Sequence, residues 1–277
     1  MNRVNVGGDY LSYLDEGSGE VILFIHGTPT CSYEYEHVIS FLKTKFRCIV
    51  IDHLGFGNSD KPQQGDYSLG AHIHRLEIVL KHLEIQKFHL VLHDFGAVIG
   101  LNAVLGRWSD VQSLVILNSW AWPFYETEPK IIKTKWLMKS WMMKYLYLRF
   151  NFSAKFMLKI AWGTYQPLTK EKHLKYQSYF RTPSDRYGTL GFINSLFDFK
   201  NDAWNVTKKL NNTQKKKVQI IWGESDKLVS ILNIERWKQV FPKAEVVLLP
   251  HVGHFVADEG AELVCPILFK FFQIQRR

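Results

Sequence analysis

The chain has 277 residues, 46% hydrophobic and 22% charged, a composition that excludes disordered and fibrous proteins and a length at which an α/β fold forms one core with an insertion. No segment approaches the roughly 18 uninterrupted apolar residues of a membrane span, and three scattered cysteines, Cys31, Cys48 and Cys265, exclude a disulfide framework or zinc site. Of the formal +9 charge, residues 123–205 supply most, with 14 Lys or Arg against 6 Asp or Glu.

In chain order, Met1 to Asn5 lead straight into a strand-like stretch. No apolar run or cleavage site of the secretory kind precedes it, so cytoplasmic residence is the expectation. Tyr10 to Leu14 alternates, a Gly17-Ser-Gly turn follows, and Val21 to Ile25 is apolar throughout, which predicts a hairpin followed by a buried strand. Two more apolar runs, Cys48 to Ile51 and Phe88 to Leu92, are separated by helix-like stretches around residues 33–45 and 70–84. Runs apolar on both faces suit a parallel sheet, and strand and helix in alternation predict helices on both its faces. A helix over 96–107 and a strand over Leu114 to Leu117 continue the pattern. From Pro123 to about Asn205 it turns helical.

Strands resume at Val218 to Ile221 and Val246 to Leu249, before a last helix over 263–272. The prediction is an α/β fold with a mostly parallel central sheet: residues 1–122 and 206–277 form the core, and 123–205 an inserted helical cap. Ligands in such a fold sit beyond the carboxyl ends of the strands, here beneath the cap. The cap interleaves Trp136, Trp141, Met142, Met143, Tyr145 and Trp162 with lysines. Packing is the expectation for the aromatic residues and a solvated face for the lysines, the alternative being attraction of an anionic substrate. No nucleic-acid module accompanies the charge. Asn151, Asn205 and Asn211 open glycosylation-type triplets that read as chance matches.

His93-Asp94-Phe95-Gly96 lies between a strand and a helix, the setting of a nucleophile elbow. Glycine at 96 suits a turn with little room, the other usual elbow glycine is replaced by Leu92, and the residue at the tip, most often serine, is Asp94. Two later strands lead into Asp226 and His254, in the chain order nucleophile, acid, histidine that such an elbow requires. His254, with Gly253 before it and an apolar residue after, is preferred to His251 as general base. Asp226 is preferred as acid to Glu224 and to Asn118, which cannot ionise. His26-Gly27-Thr28-Pro29 ends an early strand, where the Thr28 amide can join that of Phe95 in an oxyanion hole. His26 and His93 read as structural. His72 and His74 lack carboxylate support, so neither metal nor cofactor is assigned.

Five stretches, His26 to Tyr33, Asp52 to Pro62, His93 to Gly96, Asn118 to Pro123 and Gly253 to Val256, together resemble the haloalkane dehalogenase and epoxide hydrolase branch of the α/β-hydrolases, the dehalogenases more closely. The resemblance runs nearly the whole length. The stretch from Asn118 with an acid at Asp226 also resembles β-lactone decarboxylases. It implies an α/β-hydrolase fold and a small, mainly apolar substrate. A carboxylate is a poor nucleophile for ordinary esters, because acylation would form an anhydride, but it suits attack on an alkyl carbon. Asp94 would form an alkyl ester, water activated by His254 would hydrolyse it, and Asp226 would orient the histidine.

Dehalogenases of this kind give the halide two side-chain N–H donors, a Trp after the nucleophile and an Asn between the Gly and Pro of the early motif. Phe95 and Thr28 stand there instead. Each lost charge-assisted bond costs about 1.5–3 kcal/mol, roughly ten- to hundredfold in rate. Trp162, Trp136 or Trp141 is the expected substitute, in a pocket with Thr28, Phe95 and Asn118. Epoxide hydrolysis assisted by cap tyrosines (Tyr145, Tyr147, Tyr165, Tyr176 or Tyr179) is the second reading and β-lactone cleavage the third. A non-catalytic ligand-binding protein of the same fold is the alternative of another class. No nucleic-acid partner or membrane span is expected, and oligomeric state is left open.

Overall fold

The structure, a computed structural model, describes residues 1–210 and 216–273. Eight strands, β1 (Asn2–Val6), β2 (Asp9–Glu16), β3 (Val21–Ile25), β4 (Arg47–Ile51), β5 (Phe88–Asp94), β6 (Val111–Ser119), β7 (Lys217–Gly223) and β8 (Glu245–Leu249), form one sheet in the order β1-β2-β4-β3-β5-β6-β7-β8. The hairpin is β1 with β2, turning at Gly7 and Gly8, both at positive φ. From β2 the turn at Gly17 to Gly19 leads to β3, which is not its neighbour: β4 lies between, antiparallel to β2 and parallel to β3. All later pairings are parallel.

Apolar runs become central strands because each must bury two faces. In β3, Ile22 and Phe24 enter one core while Leu23 and Ile25 enter the other, as the two-residue period of a strand dictates. Helix α1 (Glu36–Leu42) and the last helix, Ala261–Gln273, cover the first face, and α2 (Leu69–His82) and α3 (Gly96–Ala103) the second. The helix predicted over 96–107 stops at Ala103 and continues as a 3-10 turn.

Between β6 and β7 the chain is helical: α4 (Ile131–Met138), α5 (Trp141–Phe150), a π-turn at Ser153–Met157 running into α6 (Leu158–Ala161), α7 (Lys170–Ser178) and α8 (Tyr187–Leu196). The side chains of Ser140 and Thr169 cap the first turns of α5 and α7. The packing expected of the aromatic stripe is found for Met143 and Trp162. It fails for Trp136 and Trp141, because α4 and α5 turn those positions to solvent. Of the glycosylation-type triplets, Asn151 is buried and Asn211 lies outside the described residues. No helix among the described residues is long and apolar enough to cross a membrane.

Candidate active site

Asp94 ends β5 at φ 52°, a left-handed conformation that costs a non-glycine residue about 1–3 kcal/mol and clusters at functional sites. Tight packing holds it there. A Cβ on Gly96 would lie 2.2 Å from the Ile25 carbonyl oxygen, so only glycine lets α3 start at this point. Leu92 is accommodated where the other elbow glycine is usual because Gly100 faces it, and a Cβ there would sit 2.5 Å from Leu92 Cδ2. Behind the elbow, Ser119 Oγ donates to the Asp94 carbonyl at 2.9 Å. In front, the Thr28 amide donates to Asp94 Oδ2 at 3.0 Å. Phe95 N-caps α3, and the first N–H groups of a helix lack intrahelical acceptors, so its amide has no acceptor within the helix.

The loops after β7 and β8 bring Asp226 and His254 to the same place. Asp226 Oδ1 accepts from the amides of Leu228 and Val229 at 2.7 and 3.0 Å, and Oδ2 accepts from Asn118 Nδ2 at 2.7 Å. His254 Nδ1 lies 2.8 Å from Asp226 Oδ2, and its Nε2 lies 3.6 Å from Asp94 Oδ2. Burial opposes charge on both groups, and their mutual attraction overrides it. Asp226 is held below the usual carboxylate range, and His254, between the Asp226 and Asp94 carboxylates, is pushed up to about 10. Both shifts favour the charged pair over the neutral one.

A second acid–histidine pair, not singled out in the sequence, stands behind the first. His93 Nε2 donates to the His254 carbonyl at 2.9 Å, and its Nδ1 lies 2.7 Å from Glu34 Oε1, with both side chains 0% exposed. The carbonyl fixes the ring's orientation, and Nδ1 is left facing the Glu34 carboxylate. The two rings lie 4.7 Å apart, centroid to centroid. Glu259 tethers the same loop to the cap, accepting from the amides of Gly253, Gly163 and Tyr165. Glu34→Leu should strand His93 Nδ1 in an apolar wall and cost about 1–3 kcal/mol, read as a lower urea midpoint at unchanged slope. An unchanged midpoint would remove the pair from the site's support.

A sequence profile described as alpha/beta hydrolase fold matches residues 20–261. The chain belongs to the α/β-hydrolase fold family. It is 28% identical to a cis-3-alkyl-4-alkyloxetan-2-one decarboxylase of Xanthomonas campestris, over 96% of this chain and 93% of that protein. It is 26% identical to haloalkane dehalogenase 2 of Mycobacterium tuberculosis, over 95% of this chain and 91% of that one. A haloalkane dehalogenase structure from Agrobacterium tumefaciens superposes with a TM-score of 0.87 at 22% identity, covering 99% and 96% of the two chains, a likeness that concerns the fold.

In this α/β-hydrolase-fold chain several sequence candidates lie away from Asp94. His251 and Glu224 are exposed. His72 is buried while His74 faces solvent, so the two cannot share an ion. His26 is structural: its Nε2 accepts from the His53 amide at 3.0 Å, and burial pulls it down to about 3. Asn118, expected in the pocket, instead bonds Asp226 and both backbone groups of Gly223, because the end of β6 turns it towards β7. Trp162, expected to assist the leaving group, spends its N–H on the Gln166 carbonyl at 2.8 Å. Trp136 and Trp141 are in solvent.

Two of the five tyrosines have their hydroxyls committed. Tyr165 donates to Glu262 and Tyr176 to Asp258, Tyr179 faces Tyr33 and Cys31, Tyr147 packs in the cap cluster with Met143 and Leu190, and Tyr145 is exposed. The residue that sequence reasoning missed is Trp120. It directly follows Ser119, the register partner of Asp94, and its ring meets Phe95 edge-on at 5.1 Å. Its Nε1 and the Thr28 Oγ1 are both buried without a hydrogen-bond partner among the described residues; Trp222, in β7, is the other such indole. Phe192 stacks on Phe95 at 4.7 Å, making an apolar wall beside the elbow.

Proposed function

We propose that Asp94 is an alkylating nucleophile and that the chain hydrolyses a small apolar electrophile through a covalent ester, as haloalkane dehalogenases do. The proposed core is residues 1–122 and 206–277, with 123–205 as the cap above the site. One observation carries the reading: a carboxylate occupies the elbow tip, 3.0 Å from the Thr28 amide and 3.6 Å from His254 Nε2. Asp94 Oδ attacks the alkyl carbon, the new C–O bond forms as the carbon–halogen bond breaks, and halide leaves with the electron pair. Neutral His254, oriented by Asp226, is the base that takes a proton from the attacking water. Water gives one proton to His254 as it adds to the ester carbonyl, the Thr28 and Phe95 amides take the oxyanion, and collapse passes that proton to the departing alcohol while the water's second proton leaves the new Asp94 carboxyl to solvent, returning the carboxylate.

The buried, unspent Thr28 hydroxyl and Trp120 N–H are the donors available to the leaving group. The Phe95 and Thr28 substitutions favour a second reading, in which the electrophile is an oxetan-2-one. Attack at its ring alkyl carbon expels a carboxylate that stays tethered to the carbon chain, and relief of four-membered-ring strain drives its departure. The resulting ester can be hydrolysed, or it can lose carbon dioxide as the C–C electrons form an alkene and expel Asp94. Epoxide opening fits less well, because Tyr165 and Tyr176 donate to Glu262 and Asp258 and Tyr145 is exposed.

A single turnover in heavy-oxygen water, enzyme in excess, tests the proposal. Hydrolysis of the ester is expected to place one heavy oxygen in the Asp94 peptide, read by mass spectrometry. Alkene and carbon dioxide with an unlabelled Asp94 would support the second reading. Label in the product alone would overturn the covalent mechanism.

A further inference from the structure

From Pro129 to Lys170 the chain carries nine Lys or Arg and no Asp or Glu. A merely solvated helix face alternates its charges and laces them into ion pairs. This one has no anion to pair with along its own length. The same stretch exposes large apolar side chains that a packed cap would cover, with Trp136 76% and Trp141 81% exposed. They recur in order. Ile132 and Trp136 on α4, Trp141 and Tyr145 on α5, and Phe156 and Ile160 on the last cap turn before Trp162 are all exposed and four residues apart, hence on one side of each helix. Lys133, Lys144, Lys155 and Lys159 stand among them. On α5, Trp141, Tyr145 and Leu148 with Pro183 line a shallow groove of about 340 Å³ rimmed by Lys144 and Arg149.

We propose that this face of the cap docks on an anionic lipid bilayer. Interfacial indoles, aliphatic side chains that enter the acyl boundary, and lysines that meet anionic headgroups are the three components of such contacts, and all are present. Aliphatic side chains argue for acyl chains over nucleic acid, whose bases and phosphates would leave Ile132, Met142 and Ile160 unused. Attachment is peripheral, since no described helix is long and apolar enough to cross a membrane. The inference is independent of the chemistry at Asp94.

Sedimentation of the full chain with vesicles of phosphatidylcholine, alone or mixed with phosphatidylglycerol, tests it. Binding to the mixed vesicles should be at least tenfold tighter and should weaken as salt rises. The Trp136→Ser, Trp141→Ser double variant should lose at least tenfold of that affinity at an unchanged thermal midpoint, and Lys133→Glu with Lys144→Glu should abolish the preference for phosphatidylglycerol. Absence of binding, or equal binding by the tryptophan variant, would overturn the proposal. Self-association of the wild type that disappears in the tryptophan variant would overturn it too, assigning the face to a second copy of the chain.

Discussion

His254→Phe should turn the protein into a single-use reagent: treated with a reactive bromoalkane, it is expected to gain one alkyl group on the Asp94 peptide and release almost no alcohol. Alkylation needs only the carboxylate, whereas hydrolysis needs a base, and a positioned general base is worth about 10²–10⁴-fold. Phenylalanine also leaves the buried Asp226 without its cation, so His254→Gln is the companion variant, retaining an N–H for Asp226 while lacking a usable base. Intact-mass and peptide mass spectrometry on both variants separates loss of the base from loss of the fold. Bromoalkane, epoxide and oxetan-2-one then name the leaving group. An oxetan-2-one adduct persists only where its ester ends in hydrolysis, because loss of carbon dioxide needs no base. No adduct from any of the three and no alkene from the oxetan-2-one, with a fluorescent apolar ligand still bound, would leave a binding protein.

Asp226→Asn is expected to lower ester hydrolysis roughly 10⁴-fold, the scale seen when the acid of such a triad becomes an amide, while alkylation of Asp94 stays within about tenfold. The amide cannot balance an imidazolium and can hold the wrong tautomer of the ring. The variant also carries a pH signature. His254 is raised from 6.5 to about 10 in the folded protein, against burial and chiefly by Asp226. A raised pKa stabilises the fold fully below pH 6.5, and that contribution is lost as pH rises towards about 10. Asp226 is lowered, so its contribution is present above its usual value and lost in acid. Urea midpoints should therefore fall from pH 7 to pH 10 in the wild type and much less in Asp226→Asn. Equal alkaline losses in the two proteins would show that the imidazolium–Asp226 pair does not hold the fold together.

Much of the fold was legible because its signals are local. Val21 to Ile25 and Phe88 to Leu92 read as central strands since every residue in them must be apolar to be buried on both faces. Asp94, Asp226 and His254 stood out because each follows a strand directly, and parallel strands deliver their carboxyl ends to one edge. The crossing of β2 past β3 to β4 was not visible, since a glycine turn does not state which neighbour the next strand takes. Glu34, set between two tyrosines, carries no local sign of the His93 ring that arrives from β5 to face it.

By itself, then, the sequence determined the strand and helix alternation, the cap, and the chemical types at the three strand ends. Only the tertiary structure decided which polar atoms are already used, Asn118 on Asp226, Trp162 on Gln166 and Tyr176 on Asp258, and which is not, the Trp120 N–H beside Phe95 having no partner among the described residues. It also decided that Trp136 and Trp141 face outward. Periodicity is written along the chain, but a hydrogen-bond partner or a buried face depends on the path of other segments through space, to which adjacent residues give no clue.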